Sequence, residues 1–195
     1  MKLIQESITH NFSRGESDKL STMSLGKKAF IIKWLNEYDI TNYEINEDLT
    51  IDVYDDVRLM ARQIKEFPEY INFNLVSGVF DISSNGIRNL RGCPKIIGEK
   101  FNAGYNFLKT LEGGPQQVGT DWGHNYDCNH NELISLKGAP EFVGHNFYCI
   151  NNLLSSLEYA PYYIGGSFDA RENDISLEEQ RKFRKFNGVV RHIYF

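Results

Sequence analysis

Two histidine–cysteine pairs stand at matched positions, His124 with Cys128 and His145 with Cys149, the second pair about 21 residues after the first. Two imidazoles and two thiolates are a donor set for tetrahedral zinc, and a thiol beside an imidazole is the minimal arrangement for a nucleophilic cysteine. The surrounding sequence argues against both chemistries. The positions equivalent to the cysteines hold Ile82, Ala103 and Ala170, and those equivalent to the histidines hold Glu99 and Gly166. A slot that accepts alanine and isoleucine is a small apolar core position, which free cysteine suits. The histidines fall outside that layer. No phosphate-cradling glycine loop, nucleophile elbow or Cys-x-x-Cys pair occurs. The expectation is a protein that is not an enzyme, with no catalytic residues, no metal ligands and no cofactor.

The equivalences come from an internal repeat. Phe147, Cys149, Asn152, Leu154, Leu157, Pro161 and Gly165 define one copy, and the same order recurs about every 21 residues. Phe80, Ile82, Asn85, Ile87, Leu90, Pro94 and Gly98 form one such copy; Phe101, Ala103, Asn106, Leu108, Leu111, Pro115 and Gly119 form the next. Tyr126, Cys128, Asn131, Leu133, Leu136, Pro140 and Gly144 follow after an insertion near Thr120 to Gly123. Phe168, Ala170, Asn173 and Ile175 begin a further copy, and Val57, Leu59, Arg62, Ile64, Phe67 and Pro68 make a degenerate one ahead of the first.

An aromatic and a small residue two apart share one side of a strand, so each copy contributes one short strand with that pair facing inward. The asparagine turns the chain and satisfies nearby backbone groups with its amide, and the two leucines return to the interior. Gly-x-Pro in the later part of the repeat excludes a returning α-helix, leaving an extended path or a short turn. One coil buries too little apolar surface to offset the ordering of its chain, so the copies must stack into a parallel β-solenoid.

Caps are expected at both ends. "KKAFIIKWLNEY" places Phe30, Ile31, Trp34, Leu35 and Tyr38 at helical spacing, and "YEINEDLTIDVY" reads as a hairpin turning near Asn46 to Asp48. Beyond the repeats, Ser176 and Glu179 make a capping box for a helix with basic residues in its last turn. The terminal "VVRHIYF" is β-prone and pairs with a coil edge or with a partner. The resulting division is a polar N-terminal segment at 1–24, flexible or a short helix, an N-terminal cap at 25–56, a solenoid at 57–176 and a C-terminal cap at 177–195.

The motif in "YDCNHNELISLKGAPEFVG", Tyr126 to Gly144, resembles the short leucine-rich repeats of tailed-bacteriophage proteins, and in its period those of secreted bacterial effectors. The resemblance covers about 120 residues. It implies an α+β, leucine-rich-repeat-like solenoid that binds other macromolecules, usually proteins, without catalysis. The insertion and the replacement of cysteine by Ile82, Ala103 and Ala170 depart from the pattern. Phage internal proteins often lose a short leading segment after an aliphatic-x-Glu site, and Ile4-Gln5-Glu6 is similar to one.

Composition narrows the partner. The 195 residues carry a net charge of -5, which disfavours a phosphate-seeking surface, so nucleic acid is not an expected partner. No long apolar segment suggests a membrane span or signal peptide, and three cysteines do not form a disulfide framework, so a reducing compartment is expected. Strand alternation points Arg58, Asp81, Asn102, Asp127, Tyr148 and Asp169 outward in one stripe on the concave face, with Arg171 in the neighbouring stripe. Tyr148 flanked by carboxylates suits a basic protein surface. Alternatively, the acidic stripe only keeps an exposed sheet soluble and unpaired. Trp122, on the insertion, is either tucked over the solenoid edge or offered to a partner. Two functions follow: a phage-encoded module that binds a host protein or defence component in the host cytoplasm, with or without inhibiting it, or a structural or packaged virion component with a trimmed N-terminal segment.

Overall fold

The strands are so short that each carries little more than one inward and one outward side chain, and the fold lives in how they stack. The computed structural model describes residues 14–186 and 191–195, so the candidate trimming site at Ile4 to Glu6 lies outside the described residues. Helix α1 (Arg14–Glu37) leads to the strands β1 (Tyr43–Ile45) and β2 (Ile51–Val53). There follow β3 (Val57–Arg58), β4 (Phe73–Val76), β5 (Phe80–Asp81), β6 (Ile96–Ile97), β7 (Phe101–Asn102) and β8 (Gln117–Val118). The array continues with β9 (Tyr126–Asp127), β10 (Phe142–Val143), β11 (Phe147–Tyr148), β12 (Tyr163–Ile164) and β13 (Ser167–Asp169), then α2 (Leu177–Phe186) and β14 (His192–Tyr194).

These strands form a parallel β-solenoid of about six turns. Each coil gives one strand to each of two sheets, in the order β1-β2-β4-β6-β8-β10-β12 for sheet 1 and β14-β13-β11-β9-β7-β5-β3 for sheet 2. Among the described residues, only β1 and β2 pair antiparallel. Sheet 2 is the strand expected from the aromatic-x-small motif. Val57, Phe80, Phe101, Tyr126, Phe147 and Phe168 lie in one continuous register, so the insertion near Thr120 bulges out without disturbing the stack. Sheet 1 is a second ladder where one strand per coil was expected. It is built from the residues after each proline, with Val76, Ile97, Val118, Val143 and Ile164 buried.

Two columns of leucine or isoleucine complete the core between the sheets, Ile87, Leu108, Leu133 and Leu154 in one and Leu90, Leu111, Leu136 and Leu157 in the other. The repeat asparagine does more than turn its own coil. The Oδ1 atoms of Asn85, Asn106, Asn131, Asn152 and Asn173 accept the N–H of Ile64, Ile87, Leu108, Leu133 and Leu154, each in the preceding coil, at 3.0 Å. The Nδ2 of Asn152 donates to Cys149 O in its own coil and to Cys128 O in the coil before, both at 3.1 Å. A buried amide with both ends satisfied is a specific rivet. The residue before each asparagine, Ser84, Tyr105, His130, Asn151 and Glu172, is left-handed with φ between 52° and 58°. That conformation is costly for a residue with a side chain. It is held in the first four by an N–H bond to the next coil.

At one end, Ile31, Trp34 and Leu35 of α1 are buried, and Trp34 meets Phe67 and Phe73 edge-on at centroid distances of 5.9 and 6.2 Å. The β1–β2 hairpin turns through Asn46 to Thr50 as expected, and β2 also pairs parallel with β4, so the hairpin is continuous with sheet 1. At the other end, Phe183 of α2 covers Phe168, and β14 joins sheet 2 beside β13. The expected capping box is half formed. Ser176 Oγ accepts Glu179 N at 3.2 Å, but the Glu179 carboxylate turns away to accept Leu157 N at 2.9 Å and Ser156 Oγ at 3.1 Å. Docking α2 on the last coil is thereby favoured over closing its own first turn.

Candidate protein-binding faces

Position two of the sheet 2 strands points away from the core, and the register aligns Arg58, Asp81, Asn102, Asp127, Tyr148 and Asp169 in a single column. Tyr194, from β14, extends it beyond Asp169. The column is less exposed than strand alternation alone predicts. Asp81 Oδ1, Asn102 Oδ1 and Asp127 Oδ1 each accept the N–H two residues ahead, from Ser83, Gly104 and Asn129, at 2.9 to 3.0 Å. These contacts cap the strand ends, so the acidic stripe does structural work on its own molecule. Asn102 Nδ2 also donates to Asp81 Oδ2 at 3.3 Å. Burial pushes the Asp127 carboxyl above its ordinary range, against the lowering effect of the Asn129 N–H.

Asp169 departs furthest from the expectation. It is only 4% exposed, because β14 lays Tyr194 against it, and it does not project into solvent. Its carboxylate is held by Arg171, with Nε to Oδ1 at 2.9 Å and Nη2 to Oδ2 at 2.7 Å, while the Arg171 guanidinium lies 5.6 Å from the Tyr194 ring centre. The charge is therefore neutralised in place. Tyr148 lies between Asp127 and Asp169, half-buried, with its hydroxyl accepting Asn146 Nδ2 at 2.7 Å; burial, before any other cause, raises its pKa. Arg58 is exposed at the far end and pairs with Asp56 at 2.7 Å. The accessible parts of this face are thus Arg58 and Tyr194 in the column and Arg171 in the neighbouring stripe, with the edge of Tyr148.

Trp122 is both packed and offered. On the insertion it contacts the His145 ring at a centroid distance of 4.6 Å and the Arg191 guanidinium at 4.8 Å, yet stays 69% exposed. Burial, with Arg191 and His124 nearby, lowers the His145 pKa, which disfavours a charged imidazole there. Its Nδ1 is 3.2 Å from Asn125 Oδ1.

The cysteines sit where the repeat puts them. Cys128 and Cys149 are fully buried, their Sγ atoms 3.2 and 3.5 Å from Tyr148 O and Asp169 O. Desolvation raises both thiol pKa values, opposite to the shift that makes a cysteine nucleophilic. Among the described residues, no three His, Cys, Asp or Glu side chains converge as metal ligands.

Sheet 1 presents a second outward column that sequence reasoning missed: Leu75, Ile96, Gln117, Phe142 and Tyr163. It is the more apolar of the two. A signal was available in the residues after each proline, "KII", "QQV", "EFV" and "YYI", each ending in a buried aliphatic residue preceded by a half-buried or exposed one. Over this face runs a groove of about 850 Å³, bordered by Lys95, Ile96, Gln117 and Phe142 and opened by the bare turns at Gly113 and Gly138. Comparison with protein-family models, with curated proteins and with solved structures found no match to this chain.

Proposed function

We propose that the protein is a phage-encoded, non-catalytic binding module of leucine-rich-repeat type, closed by caps at both ends, that acts in the host cytoplasm by docking on a host enzyme or defence component and inhibiting it. The observation that carries this reading is the long, register-matched outward column of sheet 2, in which Arg58 and Tyr148, with Arg171 in the neighbouring stripe, offer an aromatic edge and guanidinium groups on a rigid scaffold. Rigid, pre-ordered surfaces bind with little ordering cost, and tyrosine and arginine are the residue types most often dominant in interfaces. Buried thiols with raised pKa values support a non-catalytic role for the histidine–cysteine pairs. Trp122 lies off the regular coil and adds a candidate anchor at the edge.

Affinity capture from host lysate tests the reading. One stoichiometric protein should be retained by the wild-type chain and lost with Tyr148→Ala or Arg58→Glu, both chosen because neither residue is buried. Retention unaffected by these substitutions would remove sheet 2 as the docking face. Recovery of the protein only with purified virions would overturn the host-binding reading.

A further inference from the structure

The last coil breaks the repeat in one direction only. Where earlier coils read "RGCPKII", "GGPQQV" and "KGAPEFV", it reads "EYAPYYI", so three outward positions become Tyr159, Tyr162 and Tyr163 together. Tyr162 is 88% exposed and Tyr159 is 54% exposed, and the Tyr163 ring lies parallel to that of Phe142 at 4.6 Å. Tyr159 stands in the column of Gly92, Gly113 and Gly138, at φ 67°, a left-handed conformation that disfavours a side chain. The glycines keep the groove open over the earlier coils, and Tyr159 follows them with a large side chain in the same column. An exposed aromatic cluster retained at a conformational cost is what an interaction site looks like.

Charge indicates the occupant. Glu141 precedes Phe142, accepts Tyr163 N through its carbonyl at 3.1 Å, is exposed, and enters no ion pair among the described residues. The nearest cations are engaged: Lys137 with Glu112 at 2.8 Å and Lys182 with Glu179 at 3.7 Å. Lys95, further along the groove, acts on Asp48. Elsewhere the molecule sets its own guanidinium groups over aromatic rings, as Arg88 over Phe107, Arg184 over Phe195 and Arg191 over Trp122. Tyr162 and the Phe142–Tyr163 pair have no such partner among the described residues. The groove crosses four strands from β4 to β10, and three rungs of about 4.8 Å give roughly 14 Å, the length of about four extended residues.

We infer that sheet 1 docks an extended protein segment along its groove, with an arginine of that segment received at the groove's end by Phe142, by Tyr162 and Tyr163 on the next coil, and by the carboxylate of Glu141. Guanidinium suits this site better than ammonium because it stacks on aromatic faces and forks onto carboxylates. The inference rests on the protein-binding reading but not on the sheet 2 column.

Titration of the full chain with a capped tetra-arginine peptide, followed by backbone amide resonances, tests it. Saturable shifts should centre on Glu141, Phe142, Tyr162 and Tyr163, and capped tetra-lysine should bind several-fold more weakly. A Tyr162→Ala/Tyr163→Ala double variant with unchanged circular dichroism should lose about tenfold or more in affinity, and Tyr148→Ala should change nothing. Shifts scattered over the acidic surface, or surviving the double variant, would overturn the inference. So would loss with Tyr148→Ala alone, which would leave the sheet 2 reading standing, or a sedimentation dimer abolished by Tyr162→Ala, which would make a second copy the occupant.

Discussion

Tyr126→Phe should make this protein more stable, although it removes a polar atom and adds nothing. The aromatic column of sheet 2 is Phe80, Phe101, Tyr126, Phe147 and Phe168, and Tyr126 alone carries a hydroxyl there. Its ring packs 4.7 Å from Phe101 and 4.9 Å from Phe147, and the hydroxyl is buried without a hydrogen-bond partner among the described residues, below Gly114. Leaving a buried hydroxyl unpaired costs about 1–3 kcal/mol relative to water. Phenylalanine keeps the ring contacts and leaves a void on the order of 10 Å³, which costs about 0.2 kcal/mol. The net gain is therefore roughly 0.8–2.8 kcal/mol. Urea denaturation should show the midpoint rising by about 0.4–1.4 M with an unchanged slope, taking that slope as about 2 kcal/mol per molar. A midpoint that stays or falls would mean that the hydroxyl is hydrogen-bonded in solution, with the room beneath Gly114 holding a water.

Asn152→Ala should cost about 1–3 kcal/mol in the same assay, because it strands Leu133 N inside the stack, while the carbonyls of Cys128 and Cys149 each keep a second amide donor, from Asn131 and Asn173. Asn152→Asp should be worse, since an oxygen would then face those carbonyls; a loss below about 1 kcal/mol for either variant would refute the rivet. Asp127→Asn should stabilise at pH 7. The folded carboxyl has a raised pKa, so its contribution is fully favourable only below the ordinary aspartate range and is lost as pH rises through the folded value. Asparagine removes that loss, as Asn102 already does one coil earlier. The advantage in thermal midpoint should vanish on acidification below the usual aspartate pKa, and a pH-independent difference would assign it to another cause.

How far the sequence predicts the structure depends on how much signal each element carries. The aromatic, small and leucine columns were legible because every copy repeats them, and the register survived the Thr120 insertion because the motif restarts cleanly at Tyr126. Sheet 1 was not, because its strands are mostly two residues long and bury one side chain each, too little for an alternation to register. The burial of Asp169 was illegible for a different reason: its cover, Tyr194, arrives from beyond α2. The asparagine was recognised as a turn residue, but its bonds to the previous coil depend on stacking, which no single copy shows. Helix α1 extends back to Arg14, well ahead of the apolar positions Ile31, Trp34 and Leu35 that marked it.

The asparagine ladder gives the solenoid a direction. Each coil has its backbone secured by an amide that belongs to the coil after it, as Asn131 secures Leu108 and Asn152 secures Leu133. A ribosome delivers the chain in the opposite sense, amino end first, so every newly emerged coil waits, unlatched, for roughly 21 further residues before its own latch arrives. Assembly during synthesis is then a zipper that always trails translation by one coil. A pause within the repeat would hold open a single rung, with its leucines exposed, and the most vulnerable nascent intermediate at any moment is the coil nearest the ribosome.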